Sequence, residues 1–287
     1  MFYNPQKSGK GVSKEQARSE MKPFFKFWEI FGRKFWYLVQ LNCLYGFLCI
    51  PVITLGPATV ALTQVMRKFV LEQPIFVFAE FFGAFKKNFN LRAVLTGIFS
   101  LIFFAAFGFS MFISVVAVNV QPSGMVYFTL AMNMASGVVL LMVNSYIYPQ
   151  IACLNLKMPA MLKNAGILCI AGFKRNVVTV LAFIVTFTVL TVVLLAWPFL
   201  VIMLPLLPFA QLAFVSVFNA YPVIQRYIIN PYYEAQGEKN PELPDYGDET
   251  GLNGEKTGGT NTIFTDLGGK ENPIDKKKVK SKGKLIK

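Results

Sequence analysis

Apolar residues run through this chain in three long blocks, and the charged residues are gathered between them. No Asp, Glu, Lys or Arg occurs from Phe35 to Met66, from Ala93 to Leu156, or from Val177 to Gln225. A bilayer core about 30 Å thick takes about 20 apolar residues as a helix, so the second and third blocks each have room for two spans. The runs are aliphatic and Phe-rich and lack the alternation of a lipid-facing barrel strand. Backbone polar groups in lipid must also be satisfied within the segment. The expected class is an all-α membrane protein.

Within this frame the chain divides into elements. Pro23 opens a helix, a position where proline is tolerated. Lys22, Lys26, Glu29 and Arg33 share one face, and Phe24, Phe27, Trp28, Phe31 and Phe35 fill the remainder. That pattern fits either an amphipathic helix lying in the interface plane or an aromatic belt running into the first span. The first span is expected over Phe35–Ile50. Pro51-Val52-Ile53-Thr54-Leu55-Gly56-Pro57-Ala58-Thr59 then breaks the block, and Arg67-Lys68 closes it. Two spans here are tight, because sixteen helical residues cover only about 24 Å. A tight hairpin is favoured, and the sequence leaves open whether Ala58–Met66 crosses fully or is re-entrant. Val70–Phe89 reads as a second aromatic interfacial helix. Further spans are expected over Ala93–Val120, Met125–Tyr148, Val177–Ala196 and Phe199–Ala220. Gln121–Gly124 and Trp197-Pro198 serve as turns, and Gln150–Asn176 is a connection that carries Lys157, Lys163, Lys174 and Arg175 and is expected on the cytoplasmic side.

Charge fixes the count. Residues 1–231 carry eighteen basic and five acidic residues, which is the whole net charge of +13, while residues 232–287 hold ten of each. The cations flank apolar spans, which excludes a nucleic-acid reading and points to the positive-inside rule. The topology determinants are Arg33, Lys34, Arg67, Lys68, Lys86, Lys87, Arg92, Lys174, Arg175 and Arg226. Six spans arranged as three hairpins keep every one of the 43 charged side chains on one face, the cytoplasmic face of a bacterial plasma membrane, with both termini inside. A loose repeat supports three hairpins: Gly83-Ala84-Phe85-Lys86-Lys87-Asn88-Phe89 resembles Ala171-Gly172-Phe173-Lys174-Arg175-Asn176-Val177. The domains expected are a polar basic segment at 1–21, a six-helix membrane domain at 22–231, and a disordered tail at 232–287. The tail ends in Lys276-Lys277-Lys278-Val279-Lys280, a run that can meet anionic lipid.

Candidate chemistry is sparse. Histidine is absent, and Cys43, Cys49, Cys153 and Cys169 lack metal or disulfide spacing. No phosphate loop, dinucleotide fingerprint or nucleophile elbow occurs. No carboxylate, lysine or arginine lies inside an expected span, which argues against a proton-driven pump but not against a carrier of neutral solutes. No catalytic, cofactor or metal site is expected, and the chain is read as no enzyme. A polar patch of Asn42, Thr59, Thr63, Gln64, Asn133 and Gln211 is the candidate site for a sugar-like or headgroup ligand, set against plain interhelical hydrogen bonding.

Trp36, Leu41-Asn42, the Pro51–Thr59 string, Ala61-Leu62 and Met66-Arg67-Lys68, with Phe81–Phe89 and Asn164-Ala165, resemble the YesL-like family of bacterial membrane proteins. The resemblance implies a small multi-helix membrane domain of unassigned function, typical of Gram-positive bacteria and often encoded near sugar-uptake genes. It brings no catalytic residues. Its implied role is accessory to carbohydrate uptake or envelope function. The partners would be the lipid bilayer, a sugar-transporter permease or a second copy. The other reading is a small carrier or channel for an uncharged solute.

Overall fold

The least hydrophobic-looking of the expected spans is the one around which the molecule is built. The computed structural model describes residues 22–197, 199, 208–238 and 240–242. Its helices are α1 (Pro23–Leu48), α2 (Leu55–Val70), α3 (Val77–Asn88), α4 (Leu91–Val120), α5 (Gly124–Cys153), α6 (Met158–Ala171), α7 (Phe173–Ala196), α8 (Phe209–Ile224) and α9 (Asn230–Glu234). A 3-10 turn (Val52–Thr54) joins α1 to α2, and a π turn (Gln225–Ile229) joins α8 to α9. No strand occurs among the described residues.

α2 is walled in by α1, α3, α4, α5 and α8. Ala58, Val60, Ala61, Val65, Met66 and Phe69 are all fully buried. Burial on nearly every face explains how a 16-residue helix with Thr63, Gln64 and Arg67 in its sequence is accommodated: its polar groups meet protein, not lipid. Its first turn is held to α4 by backbone contact. A methyl group built on Gly56 would lie 1.9 Å from the Ala93 carbonyl oxygen, and one on Gly97 would lie 2.4 Å from the Gly56 backbone. Only glycine permits that approach.

The contact also sets depth. Gly97 lies near the start of α4, and residues 98–120 run about 35 Å beyond it at 1.5 Å each. The Pro51–Thr54 turn therefore stops well short of the far end of the α4–α5 hairpin. The packed core sits at the basic end of the bundle, where α5 ends and α7 begins. Ile30, Leu38, Leu41, Phe69, Phe81, Tyr146, Phe214 and Tyr221 meet there. Beyond it α4, α5 and α7 carry exposed apolar side chains such as Phe103, Phe109, Phe112, Phe128 and Phe187. α4, α5, α7 and the helical run Phe209–Glu234 are long and apolar enough to cross a membrane.

Several expectations shift. α1 is one unbroken helix from Pro23 to Leu48, so the aromatic segment runs straight into the first apolar block. α5 does not stop at Tyr148, nor α8 at Tyr221, because Pro149 and Pro222 lie inside their helices. Buried membrane helices tolerate proline where neighbours satisfy the freed groups, and the π turn after Pro222 is one such local adjustment. The connection 150–176 contains α6. Chain assigned to a disordered tail from residue 232 begins as helix through Glu234, and Asn240–Glu242 pack back on the core. The basic segment 1–21 and the tail beyond Glu242, with its lysine run, lie outside the described residues.

At the basic end α2 finishes in a Schellman-type cap: Gln73 N–H reaches Lys68 O at 3.0 Å and Glu72 N–H reaches Phe69 O at 3.1 Å. Glu72 takes the left-handed position, φ 55°, where glycine is usual. Its carboxylate is fixed there by Arg33 at 2.7 Å and Lys26 at 3.6 Å, which ties the cap to α1.

Candidate functional site

Between α2, α4, α5, α7 and α8 lies a cavity of about 810 Å³, partly open to the surface. Its walls are mainly apolar, with Phe104, Phe107, Met134, Phe183 and Phe187 along one part. Polar groups gather where α1, α2, α4 and α5 converge: Tyr45, Thr59, Ser100, Asn144, Ser145 and Tyr148. The Tyr45 and Thr59 hydroxyls lie 3.0 Å apart, and Thr59 donates to the Leu55 carbonyl at 2.7 Å. Ser100 donates to Asn144 Oδ1 at 3.1 Å. Pro149 has no N–H for the Ser145 carbonyl, so this wall of the cavity gains a backbone acceptor outside the helical ladder. Among the described residues, no Asp, Glu, Lys or Arg lines the cavity.

The six residues of the expected polar patch fall into four places. Thr59 and Thr63 line the cavity. Asn42 and Gln211 pair with each other at 2.6 Å, and Asn42 Oδ1 also accepts the Ala210 backbone N–H at 2.7 Å. Asn42 thus caps the first turn of α8 from a different helix, satisfying a donor that α8 cannot satisfy itself. Gln64 belongs to a network at the basic end: it donates to Glu80 at 3.3 Å, accepts from Asn88 at 3.2 Å, and Glu80 pairs with Lys68 at 2.6 Å. Asn133 is remote, bound to Ser110 at 2.9 Å and Ser114 at 2.7 Å where α4 meets α5. Tyr45, Ser100 and Tyr148, absent from the expected patch, are lining residues. The signal for them was a hydroxyl inside an uncharged run, which is too common to single out.

Of the topology determinants, Arg67 is the unusual one. It is buried on α2, donates through Nε to the Tyr221 hydroxyl at 3.1 Å, and through Nη2 to the Glu242 carboxylate. Tyr221 donates to the same carboxylate, and Gln225 Nε2 lies 3.5 Å from it. Arg92 donates to the Leu156 carbonyl at 2.6 Å, and Lys34 sits 5.2 Å from the ring centres of Tyr37 and Phe69. Lys86 and Lys87 end α3, Lys174 and Arg175 lie in the first turn of α7, and Arg226 lies in the π turn.

Residues 38–109 match the family described as "Protein of unknown function, DUF624". The match agrees with the YesL-like resemblance, most of whose motif residues, from Leu41-Asn42 to Phe89, fall inside it. No curated protein and no solved structure matches the chain. The DUF624 segment holds the end of α1, all of α2 and α3, and the start of α4. It therefore includes Tyr45, Thr59, Thr63 and Ser100 of the cavity, but neither Asn144 nor Tyr148.

The short repeat acquires physical content here. Its two copies place Asn88 and Asn176 at matching positions, and both are buried. Asn88, inside the DUF624 match, binds Gln64 of α2 and the Ala84 carbonyl. Asn176 accepts the Tyr146 hydroxyl of α5 at 2.7 Å and donates to the Cys169 carbonyl at 2.8 Å. Each pins the entrance of a long apolar helix to the core. Gln150 of α5 is fully buried, and neither polar atom of its amide has a partner among the described residues.

Proposed function

We propose that this is a multi-pass membrane protein that binds an uncharged amphiphile in the cavity between α2, α4, α5, α7 and α8. The head of the ligand would be hydroxylated and its body apolar. The observation that carries the reading is the lining: a wide apolar wall, a cluster of hydroxyl and amide groups on α1, α2, α4 and α5, and, among the described residues, no carboxylate or cation. An ionic ligand there would be desolvated without a partner, which is costly. The volume of about 810 Å³ is in the range of roughly 300–1,000 Å³ usual for small-molecule sites. A free sugar, the solute that the chain's composition leaves possible, would leave most of that wall facing its hydroxyls.

In the proposed arrangement the α4–α5 hairpin and the α7–α8 pair cross the bilayer, and the basic end faces the cytoplasm. The α1–α2 hairpin enters from that same face and turns at Pro51–Thr54 within the bilayer. Its support is the Gly56–Gly97 contact and the burial of α2. A half-depth hairpin satisfies the positive-inside count as well as six full spans do, because both return Arg67 and Lys68 to the starting side. Cysteine placed at Ser123 should react with an impermeant thiol reagent from outside, and cysteine at Ile50 should not. Outside labelling of Ile50 would restore six complete spans.

Binding is tested in nanodiscs with a photoreactive glycosyl-diacylglycerol, an anionic phosphatidylglycerol analogue, and glucose as competitor. Saturable crosslinking of the uncharged probe to cavity peptides, weakened by Asn144→Leu and unaffected by Asn133→Leu, is expected. Equal labelling by the anionic probe, or complete competition by glucose, would sink the proposal. An accessory role beside a sugar-transporter permease, the role that the family resemblance implies, predicts instead that crosslinking in native membranes recovers such a permease.

A further inference from the structure

The faces that line the cavity do not end at its polar rim. Along α2, Thr59 and Thr63 are followed four residues later by Arg67, and along α8, Ala213 and Val217 are followed by Tyr221. Residues four apart share a helix face. One turn, about 6 Å, therefore separates the last lining residues from the Arg67–Tyr221 pair. That pair lies between the cavity and the basic end of the molecule.

Its chemistry is that of a receptor for a carboxylate. Arg67 Nη2 and the Tyr221 hydroxyl donate to Glu242, and Gln225 Nε2 lies 3.5 Å away. The Arg67 guanidinium also lies 5.5 Å from the centre of the Tyr221 ring. The segment that brings the carboxylate is itself positioned: Asn240 Oδ1 accepts the Glu242 backbone N–H at 3.0 Å, and the Asn240 amide donates to Asn230 at 2.9 Å. Asn240 is buried, and both charged side chains of the Arg67–Glu242 pair are at most 10% exposed. A buried cation with no counter-charge is strongly destabilising, so this position of α2 requires an anion, and the chain provides one 175 residues further on.

We infer that Arg67, Tyr221 and Gln225 form a carboxylate-binding site that Glu242 occupies from the C-terminal segment, and that its occupancy seals the cavity toward the basic end. The inference rests on the cavity being the ligand site of the reading above. The seal, however, is measured without any ligand, so either can fail alone.

The test uses the full chain in nanodiscs with Thr63→Cys, whose modification by a cationic methanethiosulfonate is followed by peptide mass. That readout separates residue 63 from the native cysteines. Two further substitutions are compared with this parent. Glu242→Ala removes the carboxylate and should raise the modification rate at least tenfold, and acetate should lower it again by refilling the site. Arg67→Gln with Glu242→Gln removes the anion and the buried cation together. It too should label at least tenfold faster, and it keeps the experiment decisive if the unpaired arginine prevents Glu242→Ala from folding. A parental rate in the folded variants overturns the seal. Fast labelling of Glu242→Ala that acetate leaves unchanged overturns the carboxylate site.

Discussion

Gly56→Ala is the substitution that most directly probes how the molecule is held together. The added methyl would start 1.9 Å from the Ala93 carbonyl oxygen, 2.7 Å from its carbon and 3.0 Å from the Gly97 nitrogen. All three are backbone atoms, so no rotamer change relieves the clash. Reaching an ordinary contact of about 3.4 Å requires α2 and α4 to separate by about 1.5 Å, and α2 has other helices against its remaining faces. Overpacking of this kind costs about 1–3 kcal/mol and at times more. Alanine's better helix propensity returns up to about 1 kcal/mol. With backbone on both sides of the clash the cost falls at the upper end, so a net loss of about 2 kcal/mol is expected, which lowers Tm by roughly 4–8 °C at about 2–4 °C per kcal/mol. Gly108→Ala in α4 is the matched control, because nothing lies within 4 Å of a methyl group there. The assay is thermal unfolding of the purified protein in a maltoside detergent, read by size-exclusion recovery after heating. Gly97→Ala should resemble Gly56→Ala, and the double variant should cost less than the sum, since both act on one contact. A Tm for Gly56→Ala within about 2 °C of Gly108→Ala would show that α2 does not abut α4, and the half-depth hairpin would lose its support.

Other outcomes follow from single groups. Asn42→Leu leaves the Ala210 N–H and Gln211 unpaired and should destabilise by about 1–3 kcal/mol in the same assay, whereas Asn133→Leu should cost less, its partners being hydroxyls that can turn to backbone carbonyls. Gln150→Met removes a buried amide with no described partner and should leave Tm unchanged or raise it, while a fall of several degrees would reveal a bound water or ligand atom on that amide. Burial pushes the Cys169 thiol up to about 11, so its thiolate is about one part in a thousand at pH 8. Maleimide labelling of Cys169 should accordingly be slow there and rise about tenfold per pH step toward 11, and a rate already flat by pH 9 would contradict that shift.

The helical class and the positions of α4, α5 and α7 were readable from hydrophobic run length alone, because lipid-exposed helices declare themselves by composition. The inner geometry was not. α2 is as apolar as a weak span, yet its burial comes from five neighbours that no local pattern reveals. Pro149 and Pro222 read as stops because their cost is local, whereas in the structure both lie inside continuing helices, the second followed by a π turn. Thr59 and Thr63, four apart on one helix, both line the cavity, whereas Asn133 of the same expected patch shares with them only its polarity. Glu242 could not be found at all: an acidic residue in a Gly- and Asn-rich stretch resembles the other nine acids of the tail, and only the three-dimensional position of Arg67 distinguishes it.

The distribution of these features along the chain bears on what the DUF624 segment can do by itself. Residues 38–109 contain the central helix and the Gly56–Gly97 contact, so they carry the element that organises the fold. Yet the buried groups of that element are completed from elsewhere. Asn42 of α1 is paired by Gln211, Arg67 by Tyr221 and Glu242, and the polar cluster around Thr59 is completed by Asn144 and Tyr148. Without the rest of the bundle, this segment would lose the Tyr221 and Glu242 partners of Arg67 and the Gln211 partner of Asn42. The activity must therefore be sought in the whole bundle. The residues to vary first are those by which α5, α8 and Asn240–Glu242 close around α2, since they wall the cavity and pair Arg67.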